Sequence, residues 1–336
     1  MKEALFWEEE EEEEEEGDKV RCGLCAHHCS IKDGDRGICN VRENRGGVLY
    51  SLVYGKVASL TPDPIEKKPL YHFHPGTSVL SFGTIGCNFR CMYCQNMSLS
   101  CGDPESPFLK DITPREMVKM GKRYDGIAWT YNEPTISFEY SYDVFRGLKE
   151  AGGGYTLYVT NGYMAREPLE FISPYLDAMN IDVKAFRDDF YREVLGARLD
   201  PVLDTCILAR KLGIHVELTY LVVPGHNDGS DEIRDFCSWV LNELGEDTVV
   251  HFSRFHPHHR MRDLPPTPPE KMHEVRDVAE TIGLKYVYVG NLAVNNDLRC
   301  PGCGAVLLKR SHFSSGKPRL KEGKCVECGR DIPLIM

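Results

Sequence analysis

The stretch TIGCNFRCMYCQN, residues 84–96, sets Cys87, Cys91 and Cys94 at C-x3-C-x2-C spacing in a single loop. It follows a short apolar run at 78–82 that reads as a strand. Three thiolates make an incomplete ligand set: a cubane of four irons needs four ligands, so three cysteines leave one iron open to a substrate or cofactor. Zinc, with Cys101 as a fourth ligand, is the alternative.

Outward from this loop, strand and helix alternate. Thr113, Pro114 and Glu116 form a capping-box start for a helix. Strands are expected at 126–130, 155–159, 178–183, 215–223, 249–255 and 285–289, with helices at 137–151, 166–175, 200–212, 231–244 and 270–282 between them. Such alternation implies a parallel sheet with helical crossovers. The unusual residues follow strand ends: Tyr131-Asn132-Glu133-Pro134, Thr160-Asn161-Gly162, Asp182 with Lys184, Pro224-Gly225 and His256-Pro257. The carboxyl ends of successive strands are where a (β/α) barrel assembles its active site. The expected fold class is α/β: a partial (β/α)6-type TIM barrel over 76–296, a cysteine-rich module at 20–75, and a zinc-ribbon-like module at 297–336.

The formal charge of −11 over 336 residues divides unevenly, because residues 1–19 sum to −9 and hold the nine-glutamate run 8–16. Such a run repels itself and lacks apolar periodicity, so residues 1–19 are expected to be a disordered acidic tail. No run reaches the roughly 18 to 20 apolar residues that span a bilayer, and the N-terminus is acidic where a signal peptide is basic then apolar. A cytoplasmic protein without membrane contact is expected. Fourteen cysteines, mostly in three clusters of a large chain, favour metal over disulfides.

Two further cysteine groups flank the central one. Cys300, Cys303, Cys325 and Cys328 stand at C-x2-C-x21-C-x2-C, each pair followed by a glycine, as in a zinc ribbon; an auxiliary iron–sulfur cluster is the alternative. Residues 298–336 carry eight Lys or Arg against three Asp or Glu, a balance suited to nucleic acid or an acidic protein partner, or to plain solvation. Cys22, Cys25, Cys29 and Cys39 stand at C-x2-C-x3-C-x9-C and suit zinc, through a glycine-turned first pair, or iron–sulfur ligation, through the close third cysteine.

The central motif, with Tyr93 just before its last cysteine, resembles the signature of the radical S-adenosylmethionine (radical SAM) enzymes over about residues 76–290. TYNEPT, TNG, NIDVKAF, LVVPGHND, RFHP and YVYVGN, with both flanking cysteine groups, make the chain similar to the pyruvate formate-lyase activating enzymes, and within these to the AmmeMemoRadiSam-system enzymes. The resemblance implies that Cys87, Cys91 and Cys94 hold a 4Fe-4S cluster whose fourth iron binds the amine and carboxylate of SAM. It implies that Glu133, with Asn132, stands where the family's Gly-Gly-Glu motif accepts from the SAM ammonium. Asn161, Asp182 and Lys184 fall where relatives contact the methionyl and ribose parts, and His256 where a histidine approaches the nucleoside. Two features depart from the pattern: the missing glycines before Glu133, and Thr219 where the activating enzymes carry an arginine.

The implied reaction is reductive cleavage of SAM to methionine and a 5′-deoxyadenosyl radical, followed by hydrogen abstraction from an unidentified substrate. The implied electron donor is a flavodoxin or ferredoxin. Two other functions compete: activation of a glycyl-radical partner protein, and a non-enzymatic metal-ribbon binding module on a barrel scaffold.

Overall fold

The computed structural model describes residues 1–10, 18–311 and 313–336. One eight-stranded sheet organises them: β1 (Ser59–Pro64), β2 (Ser78–Gly83), β3 (Gly126–Trp129), β4 (Tyr155–Thr160), β5 (Ala178–Asp182), β6 (His215–Val222), β7 (Val249–Arg254) and β8 (Tyr286–Gly290). They lie in sequence order, β2 to β8 mutually parallel and β1 antiparallel to β2. Each parallel step is bridged by a helix: α1 (Pro114–Gly121), α2 (Phe138–Glu150), α3 (Arg166–Ile172), α4 (Asp200–Lys211), α5 (Ser230–Trp239) and α6 (Pro269–Ile282). Covered strands in such a sheet read as unbroken apolar runs, and every residue of β3 is buried. The capping box at α1 forms as expected: Thr113 Oγ1 accepts from Glu116 N at 3.3 Å, and Glu116 Oε2 accepts from Thr113 N at 2.9 Å. At the turn before β4, a Cβ on Gly154 would stand 1.7 Å from the Asp125 carbonyl oxygen, so only glycine fits.

The seven parallel strands stand where they were expected, β8 included, and β1 adds an eighth strand at the edge beside β2. Pro62 and Pro64 hid β1 from a propensity reading, yet proline is tolerated on an edge strand.

The expectation of a disordered tail is corrected at its start. Lys2–Glu3 pairs with Val48–Ser51, and Trp7–Glu9 pairs with Val20–Cys22. Phe6 sets its ring edge-on against Phe138 and Phe171, and Ala4 is buried, so a few apolar side chains anchor a strongly acidic segment. Residues 11–17, which carry most of the glutamates, lie outside the described residues.

The C-terminal module packs on the β7–β8 side of the sheet, where Tyr71, Tyr286, Tyr288, Leu298, Leu308 and Leu334 share an apolar cluster. Fully buried Glu217 of β6 fixes the segment leading into β2: its carboxylate accepts from Tyr71 N (2.9 Å), His72 N (2.7 Å), His215 Nε2 (3.0 Å) and His251 Nε2 (2.7 Å). No helix among the described residues is long and apolar enough to cross a membrane.

The N-terminal segment is tied to α2 by one buried ion pair. Arg42 Nη1 lies 3.0 Å from Glu139 Oε1, each side chain 2% exposed, while Leu5 N donates to the same carboxylate at 2.8 Å and Leu5 O accepts from Arg42 Nη2 at 2.7 Å. Removing one partner strands the other charge in a dry site. Glu139→Ala is expected to cost roughly 3–5 kcal/mol in urea denaturation, whereas Glu170→Ala, in the exposed pair with Arg166, is expected to cost less than about 1 kcal/mol.

Candidate active site around the central cysteine loop

The loop carrying Cys87, Cys91 and Cys94 leaves β2 under tight constraint. Gly83 passes so close to the next strand that a Cβ would meet the Thr130 carbonyl oxygen at 2.4 Å and Asn132 Oδ1 at 2.9 Å. Gly86 has φ +90, and a Cβ there would meet the Cys39 carbonyl oxygen at 2.8 Å and Val41 Cγ1 at 2.6 Å. Asn132 clamps the segment between these glycines: its Oδ1 accepts from Thr84 N at 3.1 Å and its Nδ2 donates to Gly86 O at 2.9 Å. Beyond Cys87, Arg90 N and Met92 N donate to Leu195 O (2.8 Å) and Val194 O (3.1 Å). On the other side, His258 Nδ1 lies 2.6 Å from Cys94 O and Arg260 N donates to Met92 O at 2.8 Å.

Several donors face the thiols. Phe89 N lies 3.4 Å from Cys87 Sγ, and Ser100 Oγ lies 3.4 Å from Cys94 Sγ. Burial pushes the Cys91 thiol up to about 12, against the opposing field of the Lys184 ammonium. Lys184, at the end of β5, pairs with Asp182 at 2.8 Å, and this carboxylate together with Tyr93 and Cys91 holds the ammonium well above its usual range despite burial. A cation beside a thiolate-bearing loop favours the charged sulfur that binds metal.

Glu133 follows β3 and is 3% exposed. Its Oε1 accepts from Thr135 N (3.0 Å), Thr135 Oγ1 (2.6 Å) and Thr160 Oγ1 (2.7 Å), and its Oε2 accepts from Asn161 N (2.8 Å). Burial raises its pKa, and the four hydrogen bonds oppose that rise only in part. Such a carboxylate gains from a cation placed against it. Asn161 turns its own Nδ2 to Asn88 Oδ1 at 2.8 Å, which links the β4 end to the residue after Cys87.

The strand ends thus bring Cys87, Cys91, Cys94, Tyr93, Asn132, Glu133, Asn161, Asp182 and Lys184 around one loop. The carboxamides of Asn132 and Asn161 bond protein groups in doing so, and the Tyr93 ring is buried against Phe190 and Phe255. His256 is exposed and lines a separate stretch, a cavity of about 890 Å³ shared with Thr219, His251, Ser253, Asn291 and Arg310. Cys101 is exposed, one residue beyond the short helix Met97–Ser100. Sequence reasoning did not single out Asn88, Thr135, Thr160 as a Glu133 donor, or Asn227. The last is fully buried and ties Val223 N (2.6 Å) to Lys184 O (2.7 Å). The motif stretches contain these residues, but nothing in a linear string marks their distant partners.

The C-terminal cysteines are arranged differently. Among the described residues, Cys300, Cys303, Cys325 and Cys328 form the group whose ligand atoms all lie within 4.8 Å of one another. Sγ separations are 3.5 Å for Cys300–Cys328 and 3.7 Å for Cys303–Cys325. The edge of a tetrahedron with metal–sulfur bonds of about 2.3 Å is about 3.8 Å, so the four sulfurs fit a single ion. Both turns are glycine knuckles, with Gly304 N donating to Cys300 O at 2.8 Å and Gly329 N to Cys325 O at 2.9 Å.

The parallel sheet thus carries three thiols after its first parallel strand and a buried carboxylate after the next. The radical SAM superfamily model matches residues 82–237. A protein of Methanocaldococcus jannaschii, named Uncharacterized protein MJ0808, is 45% identical over 342 residues and covers 100% of both chains. The Pyruvate formate-lyase 1-activating enzyme of Escherichia coli is 22% identical over 235 residues, 64% of this chain and 93% of its own. Among solved structures, SuiB of Streptococcus suis bound to precursor peptide SuiA matches in fold with a TM-score of 0.50 at 10% identity, over 68% of this chain and 52% of that one. The chain belongs to the radical SAM superfamily and is an enzyme, and the superfamily implies a 4Fe-4S cluster and S-adenosylmethionine.

The residues present fit that pair. The buried Tyr93 Oη and Asn88 Nδ2 have no hydrogen-bond partner among the described residues, and the Glu133 carboxylate is desolvated. Asn132→Ala removes both ties on the segment before Cys87. It is expected to lower stability by about 1–3 kcal/mol and to reduce iron retained on gel filtration after reconstitution, measured by iron assay and urea denaturation.

Proposed function

We propose that this radical SAM enzyme binds its cluster through Cys87, Cys91 and Cys94, orients SAM through Glu133, and acts on its substrate by hydrogen abstraction. The single observation that carries the reading is the buried Glu133 carboxylate, held by Thr135 in its own turn and by Thr160 and Asn161 at the end of β4. When bound, the cluster and SAM supply an electron and a radical able to take a hydrogen atom from the substrate.

The chain's own groups bind, orient and exclude water. Thr135, Thr160 and the Asn161 amide hold Glu133 so that its charge meets an ammonium without reorganisation. Asn132 and the loop glycines fix the positions of the thiols, and Lys184 stabilises the ionised Cys91 beside it. Tyr93, Phe190 and Phe255 form the apolar floor that keeps water from the loop. Thr219, His251, Ser253, His256, Asn291 and Arg310 give the cavity polar walls suited to a small polar substrate.

Activation of a glycyl-radical protein remains the second reading, favoured by the 22% identity to the Pyruvate formate-lyase 1-activating enzyme. We assign zinc to the C-terminal cysteines, which suits their 3.5 and 3.7 Å sulfur separations. A small module of this kind depends on its ion for folding. A flavodoxin or ferredoxin serves as electron donor in this scheme, and the cytoplasm as its compartment.

Two outcomes follow. Cys91→Ala removes the central cluster's share of the visible absorbance and abolishes SAM cleavage, whereas Cys325→Ala loses about one zinc per chain and lowers the melting temperature but retains cleavage. Loss of the central cluster in the Cys325 variant contradicts the assignment. Glu133→Gln keeps the side chain's shape but removes its charge. It is expected to weaken SAM binding by roughly 10- to 100-fold in equilibrium dialysis, with an unchanged circular dichroism spectrum.

A further inference from the structure

We propose that Cys22, Cys25, Cys29 and Cys39 hold a second iron–sulfur cluster, of the four-cysteine 4Fe-4S kind, set against the back of the central cysteine loop. All four cysteines line one small pocket, together with Arg42, Asn88 and the apolar side chains of Leu24, Ile31 and Ile136. The arrangement differs from the C-terminal site in two ways, and both separate a cluster from a single ion.

The first difference is spacing. The C-terminal sulfurs all fall within 4.8 Å of one another, whereas among the described residues the N-terminal four form no such group. A tetrahedral ion draws four sulfurs to separations of about 3.8 Å, while a cubane takes each thiolate on a different iron and keeps them farther apart. The second difference is the backbone. A zinc knuckle folds back after its second cysteine, as Gly304 N and Gly329 N do onto Cys300 O and Cys325 O. Here the residue after the second cysteine is Ala26, and its N–H donates to Tyr163 O at 3.1 Å instead. Gly23, which gives the pair a knuckle-like sequence, donates to Phe6 O at 2.7 Å. The turn that pulls a C-x2-C pair onto one ion is therefore not made, which favours the iron–sulfur alternative for these cysteines.

Charge supplies an independent observation. Arg42 is 1% exposed and lines the pocket, and its Nε has no hydrogen-bond partner among the described residues. One carboxylate, Glu139, lies 3.0 Å from the guanidinium at Nη1. A buried donor left unpaired is costly, and a thiolate-ligated cluster with its sulfides offers the negative charge and acceptors that satisfy it. The pocket also shares a wall with the central site. Asn88, next to Cys87, lines it, His27 Nε2 lies 2.7 Å from Asn88 O, and the Cys39 carbonyl packs on Gly86. The two cysteine groups stand back to back across one segment of chain.

The test uses the full-length protein reconstituted anaerobically with ferrous iron and sulfide. Wild type is expected to bind about eight irons per chain, and the Cys87/Cys91/Cys94→Ala variant about four, with a 4Fe-4S electron paramagnetic resonance signal after dithionite. Adding Cys25→Ser and Cys39→Ser to that variant is expected to remove the remaining iron. The proposal is overturned if the folded triple variant holds no cluster, or if an X-ray absorption edge shows zinc bound by the N-terminal thiolates. The reading of the central site fails differently: iron would survive Cys91→Ala undiminished while Cys25→Ser removed it. The triple variant leaves the N-terminal cysteines intact, so misfolding of the serine variants leaves its iron content decisive.

Discussion

The carboxamide of Asn132 is the tie on which the site depends. It spans from the turn after β3 to the backbone on either side of Ile85, and it holds the start of the cysteine loop in a path that Gly83 and Gly86 alone can follow. Because Glu133 is the next residue, the same turn that fixes the thiols also places the buried carboxylate. Thr160 and Asn161 reach that carboxylate from the end of β4, and Asn161 returns through Asn88 to the residue after Cys87. Three strand ends and one loop thereby form a closed set of hydrogen bonds in a dry region, where each bond is stronger and each loss costs more.

The rest of the chain closes the two sides of this arrangement. On one side the N-terminal module packs Val41 and Cys39 against Gly86, and its Arg42 is held by Glu139 of α2. On the other, the segment before β2 is pinned by Glu217, and the C-terminal module buries Leu298, Leu308 and Leu334 against Tyr71, Tyr286 and Tyr288. Arg310 sets its guanidinium over the rings of Tyr71 and Tyr288 at 4.7 and 5.3 Å while bordering the cavity. The C-terminal module thus belongs to the cavity wall.

Much of this was legible in the string. Parallel strands buried on both faces read as apolar runs, and cysteine spacing is a local property, so β2 to β8, their crossovers and the open thiol set could be read directly. What escaped were features decided by distant partners. β1 carries two prolines and exists because β2 offers it an edge. Ala4, Phe6 and Trp7 find partners beyond the glutamates that dominate the local composition. Gly23 has the sequence of a knuckle, but its N–H is taken by Phe6. Asn132 was legible as a residue of the site, and its use as a loop clamp was not, because its partners lie 46 and 48 residues away.

The most direct measurement of the central assignment is product formation by the wild-type protein. Anaerobically reconstituted enzyme is mixed with dithionite and S-adenosylmethionine, and nucleosides and amino acids are resolved by liquid chromatography. Formation of 5′-deoxyadenosine and methionine in equal amounts, dependent on dithionite, is the expected result. A fully loaded 4Fe-4S protein that leaves S-adenosylmethionine intact contradicts the role given to Cys87, Cys91, Cys94 and Glu133.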